Sequence, residues 1–300
     1  MKIIVFGAGA IGSLYGAKLS KCNDVTLVAR REHANAVNKN GLQIVGLENA
    51  VYKLKAIAKI SRIEEDTLIV LTTKVQDSEK AINPIKNLIR KDTIILCLQN
   101  GLYSENVVKK IVGNKCLVLR AVTNFGAIFA KPGVIDYKMQ SYTSIEKSPK
   151  SKDIAENFVK CGLNGYVSKN IKHDVWKKVI FNCIINPLTA ILRVENKNIC
   201  DEKLNPLNKL IIKECLEVAE KDGISFDFDF LAALHDEFKS SSNISSMQQD
   251  LLKGKKTEID YLNGAVVELG RKYKIECPVN KALAEIIKLL ESKVQHHAKL

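Results

Sequence analysis

Apolar residues recur with a different spacing in the two halves of this chain. Short apolar runs that stop at glycine or at polar residues fill roughly the first 170 residues, and they predict strands that alternate with helices. After His173 such runs nearly vanish, and apolar residues recur with helical spacing instead. We therefore predict an α/β domain over residues 1–169, followed by an all-helical domain over residues 170–300.

Several apolar runs of the first domain have the length and composition of strands. We predict strands over residues 2–6, 24–28, 67–73, 93–98, 116–124, 134–137, 142–146 and 165–168, with short extended segments within residues 41–60. Helices are predicted over residues 10–19, 77–89, 103–112 and 151–161. Residues 126–133, which contain Pro132, are predicted as a loop.

The second domain is predicted to consist of helices and one serine-rich segment. The helices span residues 173–192, 204–222, 227–239, 259–273 and 279–293. Residues 240–250 have the composition of a linker, although Ser246 or its neighbours would also suit an anion site. Glu258, which follows Thr257, fits the first turn of a helix, where a carboxylate is favourable.

A glycine-rich turn joins the first predicted strand to the first predicted helix. Its sequence is GAGAIG, and a helix N-terminus directly behind such a turn attracts phosphate groups. The first glycine permits the turn, the second lets backbone amides approach a pyrophosphate, and the third allows the helix to pack closely on the strand. We therefore predict a Rossmann-type dinucleotide-binding domain in which Gly7, Gly9 and Gly12, with Ala8, Ala10 and Ile11 between them, form the cofactor-binding turn.

Two arginines bear on the choice of cofactor. Arg30 and Arg31 stand at the end of the second predicted strand, where an NAD-binding domain carries an acidic residue for the ribose hydroxyls. Arginine pairs with a 2′-phosphate through two charge-assisted hydrogen bonds, so this position favours NADPH/NADP+. The neighbouring Glu32 leaves a second interpretation open, in which Arg30 is only a surface residue.

Two other polar residues follow predicted strands. Lys74 comes after TLIVLTT, and Asn100 comes after TIILCLQ. Ligands bind at the carboxyl ends of strands in open α/β sheets, so Lys74 is a candidate contact for the cofactor or for a substrate carboxylate, and Asn100 falls at the same edge. The alternatives are an exposed loop lysine and, for Asn100 before Gly101, an ordinary turn.

Polar residues interrupt the apolar stretch over residues 176–191 at regular intervals. Lys178, Asn182 and Asn186 are four residues apart, and steps of four advance only about 40° around a helix. A cation and two amides therefore share one narrow face, which we call the polar ladder. A solvated face is the alternative, but bulky apolar residues on nearly every other side favour the lining of a cleft.

Pro187 lies inside the same helical pattern. Proline has no backbone N–H, so we predict that it kinks or breaks the helix. Carbonyl groups around Cys183 would then lack amide partners, and irregular backbone beside the polar ladder would suit a ligand site.

Composition and charge narrow the classes of partner. With 46% hydrophobic and 26% charged residues among 300, the chain has the composition of an ordinary globular protein. The net charge of +13 comes largely from lysines spread along the whole length, which suits the attraction of anionic small molecules. No dense basic block with interleaved aromatic residues occurs, so we expect no nucleic-acid partner.

Cysteine spacing and the N-terminus bear on the compartment. The eight cysteines show neither a CxxC pair nor metal-type spacing, so we predict reduced, mostly buried thiols and no metal site. Glycines and lysines interrupt the apolar N-terminus, and no apolar run reaches the roughly 18 residues that span a bilayer. We expect a cytoplasmic protein with no membrane partner, and solvated side chains for His296 and His297 in the tail.

The chain resembles the ketopantoate reductase family over nearly its whole length. Four sequence blocks carry the resemblance, namely KIIVFGAGAIG at the start, LQNG at 98–101, WKKVIFNCIINPLTAI at 176–191 and NISSMQQDLLKGKKTEIDYLNG at 243–264. The first block is shared by many Rossmann enzymes, whereas the last two are specific to this family. The resemblance implies NADPH-dependent reduction of 2-dehydropantoate to pantoate, a step of pantothenate and coenzyme A biosynthesis.

The resemblance also implies roles for individual residues. Lys178 matches the general acid, and Glu258 matches a carboxylate that closes over cofactor and substrate. Asn100 matches an amide that faces both ligands. The matching substrate contacts are Asn182, Asn186, Asn196 and Ser246, and the matching cofactor contacts are Gly7 to Gly12, Arg30, Lys74 and Ala127. Residues 240–250 would then form an ordered substrate loop and not a linker.

Two other functions stay open at this point. A reductase of the same family would act on another branched 2-oxo acid, since the pocket for the distal part of the substrate cannot be read from the sequence. An NADP-sensing protein without turnover would also need a Rossmann-type domain. The polar ladder argues against a sensor, because a sensor needs no proton donor. A 2-oxo acid is the expected small-molecule partner, and a homodimer is left open.

Overall fold

The computed structural model describes residues 1–297, and side chains as far as Lys293. His296 and His297, for which solvated side chains are predicted, lie outside the described side chains. The chain forms two compact units. The first consists of Met1–Gln99 and Tyr103–Ile171, and the second consists of Asn100–Leu102 together with the chain from Lys172 onward.

All strands belong to the first unit within the described residues. They are β1 Lys2–Phe6, β2 Asp24–Val28, β3 Leu42–Gly46, β4 Ala50–Tyr52, β5 Lys55–Ile57, β6 Thr67–Leu71, β7 Ile94–Cys97, β8 Leu117–Thr123, β9 Gly126–Lys131, β10 Val134–Met139, β11 Thr143–Ile145 and β12 Gly165–Val167. The predicted strands of this unit are thus present, most of them within one or two residues of their predicted ends.

The helices follow in the same chain order. They are α1 Ala10–Leu19, α2 Arg31–Asn40, α3 Ser78–Ile82, α4 Ser104–Val112, α5 Ser151–Lys160, α6 Ile171–Leu192, α7 Asn205–Lys221, α8 Phe230–Phe238, α9 Ser246–Leu252, α10 Asn263–Tyr273 and α11 Pro278–His297. The first five belong to the first unit, and the helices from α6 onward form the second. An α/β region followed by a helical region confirms the predicted fold class.

The larger sheet has the strand order β12-β11-β8-β7-β6-β1-β2-β5. The six strands from β8 to β5 are parallel, whereas β11 runs antiparallel to β8. Every residue of the central strand β6 is buried, as expected for a parallel strand covered on both faces. The carboxyl ends of β1, β2 and β6 therefore share one edge, which is where the glycine-rich turn, Arg30 and Lys74 follow in the chain.

A smaller sheet has the order β4-β3-β10-β9. It corrects one prediction, because residues 126–133 are not a loop: strand β9 pairs with β10 and contributes Ala127 and Phe129 to the apolar core. The reason is that Pro132 lies at the turn between the two strands, where no ladder hydrogen bond is lost.

Three helical segments differ from the predictions. The helix predicted over residues 77–89 is divided into α3 and short 3₁₀ turns, because Pro84 has no N–H to continue the ladder. No prediction covers α2, whose buried face is His33, Ala34 and Val37. The linker interpretation of residues 240–250 is wrong, since α9 begins inside this segment, with Ser245 as its N-cap.

Helix α6 corrects one part of the prediction at Pro187, namely that the helix breaks there. The helix continues without a break from Ile171 to Leu192. The carbonyl of Cys183, which Pro187 cannot reach with an N–H, accepts a hydrogen bond of 2.9 Å from Asn263 Nδ2. A side chain from another helix thus supplies the missing donor. By length and composition α6 could cross a membrane, but 72% of its most apolar window is buried inside the protein, as in an ordinary core helix.

Candidate active site in two parts

The turn between β1 and α1 contains two close approaches of backbone. Gly7 has a φ of +108°, and a Cβ at this residue would lie 2.5 Å from Thr73 N. A Cβ at Gly12 would collide with Gly7 O and with Thr72 Oγ1. Gly7 and Ala8 also donate to Val28 O, at 3.2 and 3.0 Å, so the turn is tied to the end of β2. The protein's own backbone therefore requires glycine at positions 7 and 12.

Gly9 is a different case. A Cβ at this residue would meet only Gly7 O, at 4.0 Å, so protein packing does not demand glycine. Gly9 is the N-cap of α1, and Ala10 and Ile11 are the first two residues of that helix. The unpaired amides of this first turn suit an anion, and the close approach of a phosphate explains glycine at the cap. The turn thus has the shape that a dinucleotide needs.

Arg30 lies between β2 and α2. It is exposed and is the N-cap residue of α2, with φ −62° and ψ 149°. Arg31 and Glu32 are exposed in the first turn of the same helix. The structure therefore places Arg30 directly after β2, at the carboxyl edge of the sheet, and β2 is next in the strand order to β1, which precedes the glycine-rich turn.

His33 is a residue of this region that the sequence interpretation missed. Its side chain is 3% exposed, and its ring lies 4.9 Å from that of Phe129. The amide of Gly133 donates to His33 Nδ1 at 2.9 Å, and His33 Nε2 lies 3.0 Å from Ser13 Oγ. His33 therefore joins the starts of α1 and α2 to the β9–β10 turn. The only earlier sign was its place three residues after Arg30.

The hydrogen bonds of His33 determine its tautomer. Because Nδ1 accepts from Gly133 N–H, the ring proton sits on Nε2 and is donated to Ser13 Oγ. Burial lowers the pKa of His33 below its ordinary value of 6.5. A neutral imidazole is thus part of the folded structure.

Gln99 holds the turn after β6 that contains Lys74. Lys74 is half-buried and is the N-cap residue of the 3₁₀ turn Val75–Asp77. Gln99 Nε2 donates to Thr73 O at 2.9 Å and to Ser78 Oγ at 2.8 Å, which holds the backbone on both sides of Lys74. Gln99 belongs to the LQNG block, yet its role in this turn was not predicted from the sequence.

Ala127 lies on β9 of the smaller sheet. It is half-buried and stands opposite Tyr137 of β10. The pairing of β9 with β10 is regular between Ile135 and Tyr137, and its register shifts only on either side of this stretch. Ala127 therefore lies in a regularly paired part of the strand, which holds its backbone in place. The candidate cofactor residues of the first unit are thus carried by turns and strand ends held by backbone hydrogen bonds.

The polar ladder lies on α6 in the second unit. Since α6 is continuous, Lys178, Asn182 and Asn186 retain the i, i+4 spacing that aligns them on one face. Lys178 and Asn182 are half-buried, and Asn186 is only 6% exposed. Asn186 is thus the most buried residue of the ladder, and Lys178 and Asn182 stay partly exposed.

Two further candidate residues, Asn196 and Ser246, follow α6 in the second unit. Asn196 donates from its backbone N to Asn243 O at 2.8 Å. Its side-chain Oδ1 is buried and has no hydrogen-bond partner in the described part of the chain. Thr189 Oγ1 donates to Ser245 Oγ at 2.7 Å, and Ser246 follows as the exposed first residue of α9. The segment before α9 is therefore an ordered loop.

Asn100 and Glu258 contact each other directly. Asn100 Nδ2 donates to Glu258 Oε2 at 3.0 Å. The residue before Glu258 is anchored as well, because Glu291 Oε1 accepts from Thr257 N at 2.7 Å and from Thr257 Oγ1 at 2.6 Å. The sequence interpretation missed this contact of Glu291, since Glu291 lies on α11 with no motif around it.

Comparison with known proteins supports the family that the four sequence blocks suggested. The family model described as Ketopantoate reductase PanE/ApbA matches residues 3–150, and the model of its C-terminal domain matches residues 170–291. A curated protein of Pyrococcus horikoshii named 2-dehydropantoate 2-reductase is 37% identical, covering 97% of this chain and 98% of its own. A protein of the same name from Archaeoglobus fulgidus is 32% identical, with the same two shares.

Solved structures share the fold of this chain over nearly its whole length. A crystal structure of a PanE/ApbA family ketopantoate reductase from Ralstonia eutropha has a TM-score of 0.92 and 28% identity, covering 99% of this chain and 100% of that chain. The structure of D-mandelate dehydrogenase with NADH and anilino(oxo)acetate has a TM-score of 0.87 and 29% identity, over 98% of this chain and 99% of that chain. With both of its domain models matched and full-length relatives above 30% identity, the chain belongs to the ketopantoate reductase family.

Proposed function

We propose that this protein is an NADP-dependent oxidoreductase that reduces 2-dehydropantoate to pantoate. The observation that carries the proposal is the near-full-length match to curated relatives named 2-dehydropantoate 2-reductase. The residues of the polar ladder supply the chemistry that such a reaction needs. The enzyme would then serve pantothenate and coenzyme A biosynthesis, and we infer a cytoplasmic location and a 2-oxo acid as its small-molecule partner.

The backbone of the glycine-rich turn in the first unit supports binding of a dinucleotide. Gly9 leaves the space in front of the α1 amides open, whereas Gly7 and Gly12 close the turn behind them. Arg30 suits a 2′-phosphate, and Lys74 suits the same ligand as a second cation. These residues support NADPH/NADP+ as the cofactor, together with backbone contacts from the turn and from Ala127.

The residues of the second unit suit a small 2-oxo acid. NADPH, when bound, supplies the hydride that adds to the C2 carbonyl carbon. The Lys178 ammonium would stabilise the negative charge that develops on the carbonyl oxygen and then give up a proton to it. Lys178 therefore acts as the general acid in this proposal, and the new hydroxyl carries its proton.

Amide and hydroxyl side chains of the second unit would orient the substrate. Asn182, Asn186, Asn196 and Ser246 offer donors and acceptors for the hydroxyl and carboxylate groups of the substrate. The buried Oδ1 of Asn196 would accept a hydroxyl proton. A misplacement of about 1 Å in such a site costs on the order of a hundredfold in rate.

Glu258 and Asn100 would form the side of the site that faces both ligands. The hydrogen bond between them leaves the second carboxylate oxygen of Glu258 for another donor, such as a hydroxyl of substrate or cofactor. We assign Glu258 a catalytic role on this basis, as a carboxylate that contacts the reacting groups.

One observation favours a second candidate function. A solved structure with a TM-score of 0.87 is a D-mandelate dehydrogenase named with NADH and anilino(oxo)acetate. The same fold therefore accommodates another 2-oxo acid, and reduction of a different branched 2-oxo acid is the alternative. Comparing kcat/KM for 2-dehydropantoate and 2-oxoisovalerate distinguishes the two functions.

The test of the main proposal is the loss of absorbance at 340 nm with purified protein, 2-dehydropantoate and either NADPH or NADH. We expect fast oxidation of NADPH, slow oxidation of NADH, and a preference for 2-dehydropantoate over 2-oxoisovalerate. Binding of NADPH without oxidation by either 2-oxo acid would contradict the proposal. Molar mass from light scattering in the same buffer determines whether the enzyme is a homodimer.

A further inference from the structure

A buried chain of hydrogen bonds in the second unit ends on the backbone of α6. Glu214 on α7 accepts from Val279 N at 2.8 Å, from Asn280 N at 2.9 Å and from Asn280 Nδ2 at 2.7 Å. Asn280 Oδ1 in turn accepts from Asn263 Nδ2 at 2.9 Å. The same Nδ2 donates to Cys183 O at 2.9 Å, so the chain connects α7, α11, α10 and α6.

The carboxylate fixes the direction of every bond in this chain. The two oxygens of the Glu214 carboxylate receive three N–H donors and can only accept, so the amide nitrogen of Asn280 faces Glu214 and its oxygen faces Asn263. Asn263 must therefore present its nitrogen to Asn280 and to α6. The exposed fractions of Glu214, Asn263 and Asn280 are 7%, 0% and 0%, so water does not compete for these groups.

The acceptor on α6 exists because of a proline. In an uninterrupted helix the N–H of residue 187 would donate to Cys183 O, and Pro187 has none. Cys183 is 0% exposed, and an unpaired carbonyl at that depth would be strongly destabilising. Asn263 supplies the missing donor to Cys183 O. Cys183 directly follows Asn182, and Asn186 comes about one helical turn later.

We propose that Asn263 is a positioning residue for the polar ladder. By donating to Cys183 O, it fixes the local course of α6 at the proline, and with it the direction in which Asn182 and Asn186 point. The role of the ladder toward a substrate rests on the proposed function, whereas the role of Asn263 toward α6 does not. Turnover is a sensitive readout, because small displacements of positioned groups cost large factors in rate.

The experiment is a double-mutant cycle between residues 263 and 187. Asn263→Leu removes the donor with little change in shape, and Pro187→Ala restores an N–H that can reach Cys183 O. We expect Asn263→Leu to lower kcat by about tenfold or more with Pro187 present, and by less than about threefold in the Pro187→Ala protein. The KM for NADPH should be unchanged in all four proteins.

Asn208→Leu is the matched control. Asn208 is also 0% exposed, and it donates to Ile199 O at 3.0 Å, outside α6. This variant should lose thermal stability without the loss in kcat. An equal loss in kcat from Asn263→Leu in both residue-187 backgrounds, or an equal loss from Asn208→Leu, would overturn the proposal.

Two measurements keep the test decisive. If Asn263→Leu does not fold, Asn263→Ala, which also removes the donor and has less bulk, replaces it in the same cycle. Thermal unfolding midpoints of the four proteins need no substrate: the shift caused by residue 263 should be smaller in the Pro187→Ala protein. Absence of any turnover in the unmodified enzyme would refute the proposed function alone, whereas equal shifts in midpoint would refute the role of Asn263.

Discussion

Asn100 and Glu258 are 158 residues apart in the chain, and Asn100 Nδ2 donates to Glu258 Oε2 at 3.0 Å. Segment 100–102 lies in the second unit, and Leu102 N also donates to Tyr261 O at 3.1 Å. The LQNG block thus ends in residues that belong structurally to the region of the TEIDY block. Two of the sequence blocks that carry the resemblance are therefore in direct contact.

Glu258 should matter for turnover more than an exposed glutamate of the same unit. Glu258→Ala removes the acceptor of Asn100 and leaves that amide without its partner, so we expect kcat/KM for 2-dehydropantoate to fall by about tenfold to a hundredfold. Steady-state kinetics at saturating NADPH provide the measurement. Glu268→Ala, at a surface residue paired with Arg271, is the control and should stay within about twofold.

Lys178 is expected to act in the chemical step and not in cofactor binding. Lys178→Ala should lower kcat by at least about a hundredfold, because the general acid is lost, while the Kd for NADPH stays nearly the same. Rapid-mixing kinetics and fluorescence titration with NADPH measure the two quantities. Lys177→Ala, whose lysine lies 4.1 Å from the Phe228 ring centre, should retain most of its turnover. A fully active Lys178→Ala enzyme would exclude Lys178 as the acid.

Arg30 is expected to distinguish the two nicotinamide cofactors. Only NADPH carries a 2′-phosphate, so Arg30→Ala should weaken NADPH binding by about tenfold or more and change NADH binding by less than about threefold. Titration of each cofactor against the same protein measures both Kd values. Arg90→Ala, at an arginine paired with Glu65 on the surface, is the control. Equal losses for the two cofactors would refute the role of Arg30.

His33 should make the stability of the protein fall in mild acid. Its pKa is lowered by burial in the folded state, so below pH 6.5 the unfolded chain binds the proton more readily than the folded chain. The stabilisation by the neutral ring is fully present above pH 6.5 and is lost as the pH falls from 6.5 toward the folded-state pKa. Protonation also removes the acceptor of Gly133 N–H.

The measurement is the free energy of unfolding at pH 7.5 and at pH 5.5. The decrease between these two values should be smaller in His33→Gln than in the unmodified protein, because glutamine has no proton to gain. His235→Gln, at a histidine hydrogen-bonded to Asn205, serves as the control substitution. An unchanged decrease in His33→Gln would show that the acid sensitivity comes from other groups.

Local signals made much of the first unit predictable. The β1 strand, glycine-rich turn and α1 helix follow from residues 2–19, because each step depends on neighbours in the chain: an apolar run, glycines that permit the turn, and helical spacing behind it. Strand β9 was missed because its pairing partner, β10, decides its conformation, and Pro132 suggested a loop. Helix α2 was missed because its apolar face is short.

The polar ladder shows what the local sequence determines and what tertiary packing determines. The sequence by itself determined that Lys178, Asn182 and Asn186 share a face, since helical spacing is a property of the local chain. It could not determine that α6 continues through Pro187, because the compensating donor, Asn263, comes from another helix. Likewise, the pairing of Asn100 with Glu258 and the anchoring of Thr257 by Glu291 depend on contacts between distant residues, which only tertiary packing decides.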